Sequence, residues 1–418
     1  MTGFITQYKG LRRENYIIAF GRFVTCLGSM IWPMLTLILT QKMGLDAGEA
    51  SWVIAAGGIL MLPALLLGGK IADRFNKRNT IVCMDILSVI CYLTCALIPL
   101  SWISMGLMFA GSVFQNMEHP SYSALTADLC PTADREKSYS LQYLGSNLGL
   151  AAAPTLAGFL IQDHLDLIFL INGISIACST LIIFFGIRDV TPVRESGRLA
   201  EYQKERSGVS IWRVLRESPV LLVFIAVYCG YYALYQMYVY LIPLDMVALH
   251  GSSGYVIYGT FTSVNCLVVV LFTPVVTRSF ASMADSIKAV FGVLMLEIGY
   301  GIFLLFKGRV PVYYIAMTII TLGEIFAMLA ENPYLTKRVP ATHRGRINGA
   351  ETVMRTATAS VFQVFIGHIY AGSGVSAAWT AVMLTGAVFI AVSLMMVRMD
   401  RNVYADLYGT ESDVESSV

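Results

Sequence analysis

The feature that most constrains this chain is a series of twelve apolar runs, each long enough to cross a bilayer. A transmembrane helix needs about 20 apolar residues and satisfies its backbone hydrogen bonds internally. Hydrophobic residues make up 56% of the chain and charged residues 13%, a composition that would leave much apolar surface exposed in a soluble fold. The sequence therefore predicts an all-α integral membrane protein with twelve transmembrane helices. These helices are predicted at residues 15–40, 47–70, 79–99, 102–128, 138–161, 166–187, 219–248, 253–276, 287–306, 310–336, 345–370 and 374–397.

The basic residues predict how these helices are oriented. If both termini face the cytoplasm, 24 of the 29 Lys and Arg residues lie on that side, as the positive-inside rule expects. Residues 1–14 are polar and do not resemble a cleavable signal sequence. We expect a multi-pass protein of the cell membrane, specifically a bacterial inner membrane, with both termini cytoplasmic.

A single long polar stretch divides the predicted helices into two sets of six. We predict an N-terminal half over 1–187, a cytoplasmic linker over 188–218, a C-terminal half over 219–400 and a cytoplasmic tail over 401–418. Glu118-His119-Pro120 in the fourth predicted helix is matched by Glu331-Asn332-Pro333 in the tenth, 213 residues further on. Duplication of a six-helix unit is common among membrane transporters, so the two halves are predicted to be pseudo-symmetric.

The link between the second and third predicted helices reads Gly69-Lys70-Ile71-Ala72-Asp73-Arg74-Phe75-Asn76-Lys77-Arg78. This segment resembles the signature loop of the major facilitator superfamily, G-x-x-x-D-R-x-G-R-R, with Asn76 in place of the second glycine. Asparagine tolerates a left-handed turn better than most residues, so this departure from the pattern is mild. The resemblance implies the major facilitator fold, in which two six-helix halves rock about a midplane cavity.

The same resemblance implies that this loop belongs to a cytoplasmic conformational gate. The residues assigned to it here are Gly69, Asp73, Arg74 and Arg78, and Asp128 at the end of the fourth helix is the expected partner of Arg74. We also expect Gly69 to let another helix approach closely. The alternative is a solvated turn whose charges only set the topology.

Residues 145–158, Gly145-Ser146-Asn147-Leu148-Gly149-Leu150-Ala151-Ala152-Ala153-Pro154-Thr155-Leu156-Ala157-Gly158, resemble the antiporter motif G-x-x-x-G-P-x-x-G-G. Small residues four apart share one helical face, which we expect to contact a helix of the other half. Pro154 is expected to bend the helix, and Gly149 and Pro154 join the predicted gate. Ordinary small-residue packing is the alternative interpretation.

The tenth predicted helix contains Thr321-Leu322-Gly323-Glu324-Ile325, which is similar to the glutamate-bearing stretch of proton-driven multidrug antiporters. That resemblance implies that Glu324 serves proton coupling or substrate binding. The chain departs from such antiporters at Gln142 and Arg22, where relatives carry acidic residues. These departures leave the class of substrate open.

Several charged residues lie within the apolar segments of the N-terminal half. A charge at the centre of a transmembrane helix costs about 3 kcal/mol on insertion scales, so such residues usually face a wet cavity or one another. Arg22 and Glu118 fall at depths that predict a pair. Asp85 and Glu297 lie on helices that are peripheral in this fold, and we interpret them as structural.

In the C-terminal half, Glu351 and Arg355 lie four residues apart on one helical face. They are expected within range of Glu324 or Glu331 on the tenth helix.

Tyrosines recur at helical spacing along the seventh predicted helix, at Tyr228, Tyr231, Tyr235 and Tyr238. Their rings could stack on a flat or cationic substrate, or they could simply pack. The predicted substrate cavity comprises Arg22, Glu118, Tyr231, Tyr235, Gln236, Glu324, Glu331 and Arg355.

These features together predict a secondary active transporter rather than an enzyme. We expect proton-coupled efflux of small amphipathic or drug-like molecules by alternating access, with Glu324 as the first candidate for proton coupling and Glu118 as the second. One alternative is proton-coupled transport of an anionic metabolite that uses Arg22 and Arg355. A non-transporting membrane sensor or scaffold is a less favoured alternative.

The expected partners are a small-molecule substrate, protons and the lipid bilayer, and the protein is expected to be a monomer. The net charge of +2 gives no indication of a nucleic-acid partner. No Cys or His spacing in the sequence suggests a metal site, and we expect no cofactor.

Overall fold

The structure is a computed structural model that describes residues 8–129, 132–187, 216, 218–339 and 344–404. Within these ranges the side chains of residues 73, 127, 132–136, 332, 336 and 344–346 are not described. Most of the predicted linker and of the predicted C-terminal tail lies outside the described residues.

Every element in the described part of the chain is helical. The first seven helices are α1 (Arg13–Leu27), α2 (Ile31–Leu37, continued by a π-helical turn at Ile38–Lys42), α3 (Ala47–Arg74), α4 (Lys77–Leu97), α5 (Trp102–Leu129), α6 (Thr132–Leu150) and α7 (Ala153–Leu160). The next seven are α8 (Leu165–Gly186), α9 (Pro219–Tyr235), α10 (Met237–His250), α11 (Ser253–Ser279), α12 (Asp285–Leu305), α13 (Val310–Arg338) and α14 (Arg344–Val403).

Nine helical stretches within the described ranges are long and apolar enough to cross a membrane. One of them covers both of the last two predicted helices, because α14 runs on through a break at Gly374, whose φ of 82° is left-handed. Glycine reaches such angles without steric cost. The protein is therefore a multi-pass helical protein, and the number of twelve spans remains a prediction.

Polar side chains fix where α3 and α4 begin. Asp46 accepts a hydrogen bond from the backbone N–H of Glu49, and Glu49 accepts one from the N–H of Asp46, which is a capping box. Asn76 caps α4 by accepting from the N–H of Asn79 at 3.1 Å. The φ of −61° and ψ of 121° at Asn76 are extended, as an N-cap requires.

The fifth and seventh predicted helices are each interrupted. α6 ends at Leu150 and α7 begins at Ala153, with Pro154 in its first turn. Proline has no N–H to donate and is accommodated best in the first turn of a helix, which agrees with the predicted bend. A second interruption at Gln236 separates α9 from α10.

The chain packs as two compact units. The first comprises Met1–Gly197 and Val239–Val270, and the second comprises Arg198–Tyr238 and Leu271–Val418. The boundaries between these units fall within α10 and α11, so the compact units are not the two predicted six-helix halves, which remain a prediction. In the first unit, α1, α4, α5 and α8 converge on a buried apolar cluster. Its buried members are Ile18, Ile81, Tyr122, Leu125, Leu129, Ile183 and Ile187.

Candidate functional site

A polar cluster lies among α1, α4, α5 and α8 of the first unit. Arg22 of α1 is half-buried, and its guanidinium is 3.1 Å from Nε2 of His119 and 5.0 Å from the ring centroid of Tyr122, both on α5. The expected direct pair between Arg22 and Glu118 is wrong for this structure. The nitrogen of the neighbouring His119 occupies the position of the expected partner.

Glu118 is instead hydrogen-bonded to Asp85 of α4. Both side chains are buried, since each residue is 3% exposed. Thr180 of α8 donates a hydrogen bond from Oγ1 to Oδ2 of Asp85 at 2.8 Å. Asp85, which the sequence indicated to be a peripheral structural residue, is therefore part of the same polar cluster as the predicted coupling residue.

A second polar cluster lies in the second unit, between α13 and the first half of α14. Nη1 of Arg355 donates to Oε1 of Glu331 at 2.8 Å, and its Nε is 3.6 Å from Oε1 of Glu351 one turn earlier. The guanidinium also lies over the ring of Tyr232, 4.8 Å from its centroid. The predicted proximity of Arg355 to α13 is confirmed at Glu331.

Glu324 lies two turns away from Glu331 on the same helix and has a different partner. The hydroxyl of Tyr235 is hydrogen-bonded to the Glu324 side chain. The rings of Tyr231 and Tyr235 are stacked, with centroids 6.0 Å apart, and Tyr228 donates its hydroxyl proton to the carbonyl oxygen of Ala327 at 2.6 Å.

The tyrosine stripe is partly packed, and its predicted role in substrate binding stays a prediction. Tyr228 is 2% exposed and packs, whereas Tyr235 and Gln236 are half-buried and Tyr235 meets an acidic group. The Tyr231 hydroxyl is buried without a hydrogen-bond partner in the described part of the chain.

The predicted gate residues are arranged differently from the expectation. Among the described side chains, Asp128 pairs with Lys77 at 2.8 Å and not with Arg74, which is exposed. Arg78 donates to the carbonyl oxygen of Phe184, with its guanidinium 4.8 Å from the centre of that ring. The side chain of Asp73 lies outside the described residues.

Gly68, rather than Gly69, is the glycine that permits close packing near the end of α3. A Cβ atom at Gly68 would lie 2.2 Å from the carbonyl oxygen of Met117 on α5, whereas nothing lies within 4 Å of a Cβ at Gly69. The expected role of Gly69 is therefore wrong in this conformation, because the neighbouring position faces the adjacent helix.

The small residues of the fifth predicted helix contact two different helices. A Cβ at Gly145 would lie 2.6 Å from the carbonyl oxygen of Ala19, and one at Gly149 would lie 2.4 Å from that of Phe23, both on α1. These contacts are within the predicted N-terminal half, which corrects the expectation for this part of the motif.

The later part of the same motif meets α11. A Cβ at Gly158 would lie 2.6 Å from the carbonyl oxygen of Tyr255, and one at Gly259 would lie 2.3 Å from that of Pro154. The expected close approach to a helix of the C-terminal sequence half therefore occurs around Pro154 and Gly158, within the first compact unit.

Sequence reasoning missed a buried ion pair in the second unit. Nε and Nη2 of Arg338 donate to the two oxygens of Asp400 at 2.8 and 2.7 Å, and the hydroxyl of Tyr334 donates to Oδ1 at 2.8 Å. The side chains of Arg338 and Asp400 are 2% and 0% exposed. Each residue has the sequence context of an ordinary charge at the end of a helix, and their separation of 62 residues leaves no local signal.

No group of three or more His, Cys, Asp or Glu side chains that could hold a metal ion occurs within the described ranges.

The buried charges and long apolar helices define a polytopic membrane protein with polar clusters inside its helix bundles. A family model described as Major Facilitator Superfamily matches residues 18–363. Because this match spans well over half of the 418 residues, the chain belongs to the major facilitator superfamily of membrane transporters.

The chain is also similar to three individual transporters. The chain is 23% identical to a Na(+), Li(+), K(+)/H(+) antiporter of Planococcus maritimus over 358 residues, covering 78% of this chain and 82% of that one. It is 21% identical to the multidrug resistance protein MdtH of Aeromonas salmonicida, covering 81% and 83% of the two chains. A crystal structure of the peptide transporter POT in complex with sulfate superposes with a TM-score of 0.77 at 16% identity, covering 96% and 97% of the chains. At that identity the superposition establishes the fold alone.

Proposed function

We propose that this protein is a proton-coupled secondary transporter that exports small amphipathic or drug-like molecules by alternating access. Membership of the major facilitator superfamily supports transport. Relatives named as a cation/proton antiporter and as a multidrug resistance protein support exchange against protons and efflux.

The observation that carries the proposal is the contact of Glu324 with Tyr235 beside the stacked ring of Tyr231. A carboxyl group next to aromatic faces can bind the charge and the flat apolar part of an amphipathic cation together. The same carboxyl group can hold either a proton or the cation's charge. This competition is the simplest physical basis for exchanging one against the other.

A second candidate is transport of an anionic metabolite. Arg22 favours it, because its guanidinium is hydrogen-bonded to an imidazole rather than to a carboxylate, whereas Arg355 is neutralised by Glu331 at 2.8 Å. Arg22 is accordingly the better of the two proposed residues for donating hydrogen bonds to an anion. A sensor or scaffold is disfavoured because it would have no need of charges that are costly to place in a membrane.

We further propose that the protein acts as a monomer in a bacterial inner membrane with both termini in the cytoplasm. The excess of basic residues on the predicted cytoplasmic side supports this orientation.

The proposal is tested with purified protein in proteoliposomes under an imposed pH gradient. Ethidium serves as a cationic probe and salicylate as an anionic one. Gradient-driven movement of ethidium supports drug efflux, movement of salicylate alone supports the second candidate, and counterflow of neither probe contradicts both.

Glu324→Gln tests the role of the carboxyl group, because glutamine resembles its protonated form. We expect the variant to lose accumulation driven by the pH gradient and to show weaker ethidium counterflow, because the neutral amide can neither take up a proton nor balance the charge of the cation. Glu297→Gln is the control, because Glu297 is also buried but lies on α12 beside Gly386. Retained gradient-driven accumulation in Glu324→Gln would exclude Glu324 as the proton carrier.

A further inference from the structure

Asp85 and Glu118 form a hydrogen-bonded pair of carboxyl groups inside the first unit. An ionised carboxylate has only acceptor atoms. Two such groups can share a hydrogen bond only if one of them carries a proton. A hydrogen bond between Asp85 and Glu118 therefore needs one bound hydrogen.

The surroundings of the pair offer little other stabilisation for a second negative charge. Oε2 of Glu118 is buried without a hydrogen-bond partner in the described part of the chain. Asp85 receives the hydroxyl of Thr180 at 2.8 Å, so Asp85 is the better acceptor and Glu118 the better carrier of the proton.

The polar and titratable groups around the pair come from three helices. α1 contributes Arg22, and α5 contributes His119 and Tyr122, while α8 contributes the hydroxyls of Ser179 and Thr180. With one proton on the pair, its charge of −1 balances the +1 of Arg22. Loss of the proton leaves a net negative charge, which is costly in a low-dielectric interior.

We propose that Asp85 and Glu118 form a shared-proton site, and that this pair, rather than Glu118 alone, binds and releases a proton during transport. Release of the proton leaves the cluster with an uncompensated negative charge, which an arriving cationic substrate can balance. His119 on α5 is hydrogen-bonded to Arg22 at 3.1 Å and so connects the surroundings of the pair to α1. This inference rests on the proposed proton coupling.

Amide substitutions test the site without removing its hydrogen bond. In Glu118→Gln or Asp85→Asn, the side-chain amide donates the hydrogen that the proton supplied, so both variants are expected to fold. Infrared difference spectra of the reconstituted full-length protein in H2O and D2O report the C=O stretch of protonated carboxyl groups. Because the proton is shared, each substitution should abolish the same single band, and the double variant should remove nothing further.

Transport by the same vesicles gives the second readout, with Glu297→Gln as the matched buried-carboxyl control. We expect Glu118→Gln and Asp85→Asn to reduce gradient-driven accumulation of ethidium to the level measured without a gradient. The control should retain accumulation.

Three results would overturn the shared-proton site. The band could persist in either variant, the two substitutions could remove different bands, or Na+ or Li+ at constant pH could displace the band, which would assign a metal-cation site instead. These outcomes are separable from failure of the proposed function. If the wild type shows no gradient-driven transport, the spectra still decide whether the pair holds a proton.

Discussion

The buried pair between Arg338 and Asp400 gives the sharpest prediction for stability. Both oxygens of Asp400 accept from the guanidinium, and Tyr334 adds a third hydrogen bond. With the two side chains 2% and 0% exposed, removing one partner strands a desolvated charge, which typically costs about 3–5 kcal/mol. We expect Arg338→Gln and Asp400→Asn each to lose stability of this order.

The double variant should be far less harmful than the sum of the two losses. No charge is left unpaired once both partners are neutral, so the coupling free energy should be about 2 kcal/mol or more. The assay is equilibrium unfolding of the four proteins in mixed detergent micelles. Additive losses, or single variants that cost less than about 1 kcal/mol, would refute the reasoning, since exposed pairs give values of that size.

Lys337 supplies an internal control on the same helix. Its Nζ lies 2.8 Å from Oδ2 of Asp285, nearly the same distance as in the buried pair, but the Lys337 side chain is 51% exposed. The Asp285 side chain is only 6% exposed, but solvent reaches the Lys337 ammonium and screens the pair, so it contributes less than a pair buried on both sides. Lys337→Gln should therefore destabilise the protein much less than Arg338→Gln, although the two residues are neighbours.

Two further predictions concern the region between α3 and α5. Gly68→Ala should lower the thermal melting temperature strongly, because the added Cβ would lie 2.2 Å from the Met117 carbonyl oxygen. Gly69→Ala should leave the melting temperature nearly unchanged. Equal effects of the two substitutions would contradict this packing. Lys77→Gln and Asp128→Asn should each cost no more than about 1 kcal/mol in the same unfolding assay, because their side chains are 31% and 25% exposed; a larger loss would show that the pair is more than a surface contact.

The positions of the helices follow from the sequence to a large extent. Apolar length and proline fix them locally, so the predicted helix over 253–276 corresponds to α11 at Ser253–Ser279, and the expected bend at Pro154 is present. The ends are less predictable, because α13 runs to Arg338 rather than to residue 336. Polar residues in the last turn do not stop a helix when they find buried partners.

The side-chain contacts follow from the sequence much less well. Moving one residue along a helix turns the side chain by about 100°, so the motif could not tell whether Gly68 or Gly69 faces α5. Asp85 appeared peripheral because its helix usually is, yet its carboxyl group points to Glu118. Such pairings depend on how helices rotate against each other, and no local pattern records that rotation.

The interruption between α6 and α7 divides one predicted helix into two arms with separate neighbours. The first arm is in backbone contact with α1 through Gly145 and Gly149, and the second is in backbone contact with α11 through Gly158. A continuous rod would pass any rotation at one end on to the other. An interrupted helix need not do so. α11 can therefore shift against α7 while α1 stays packed on α6.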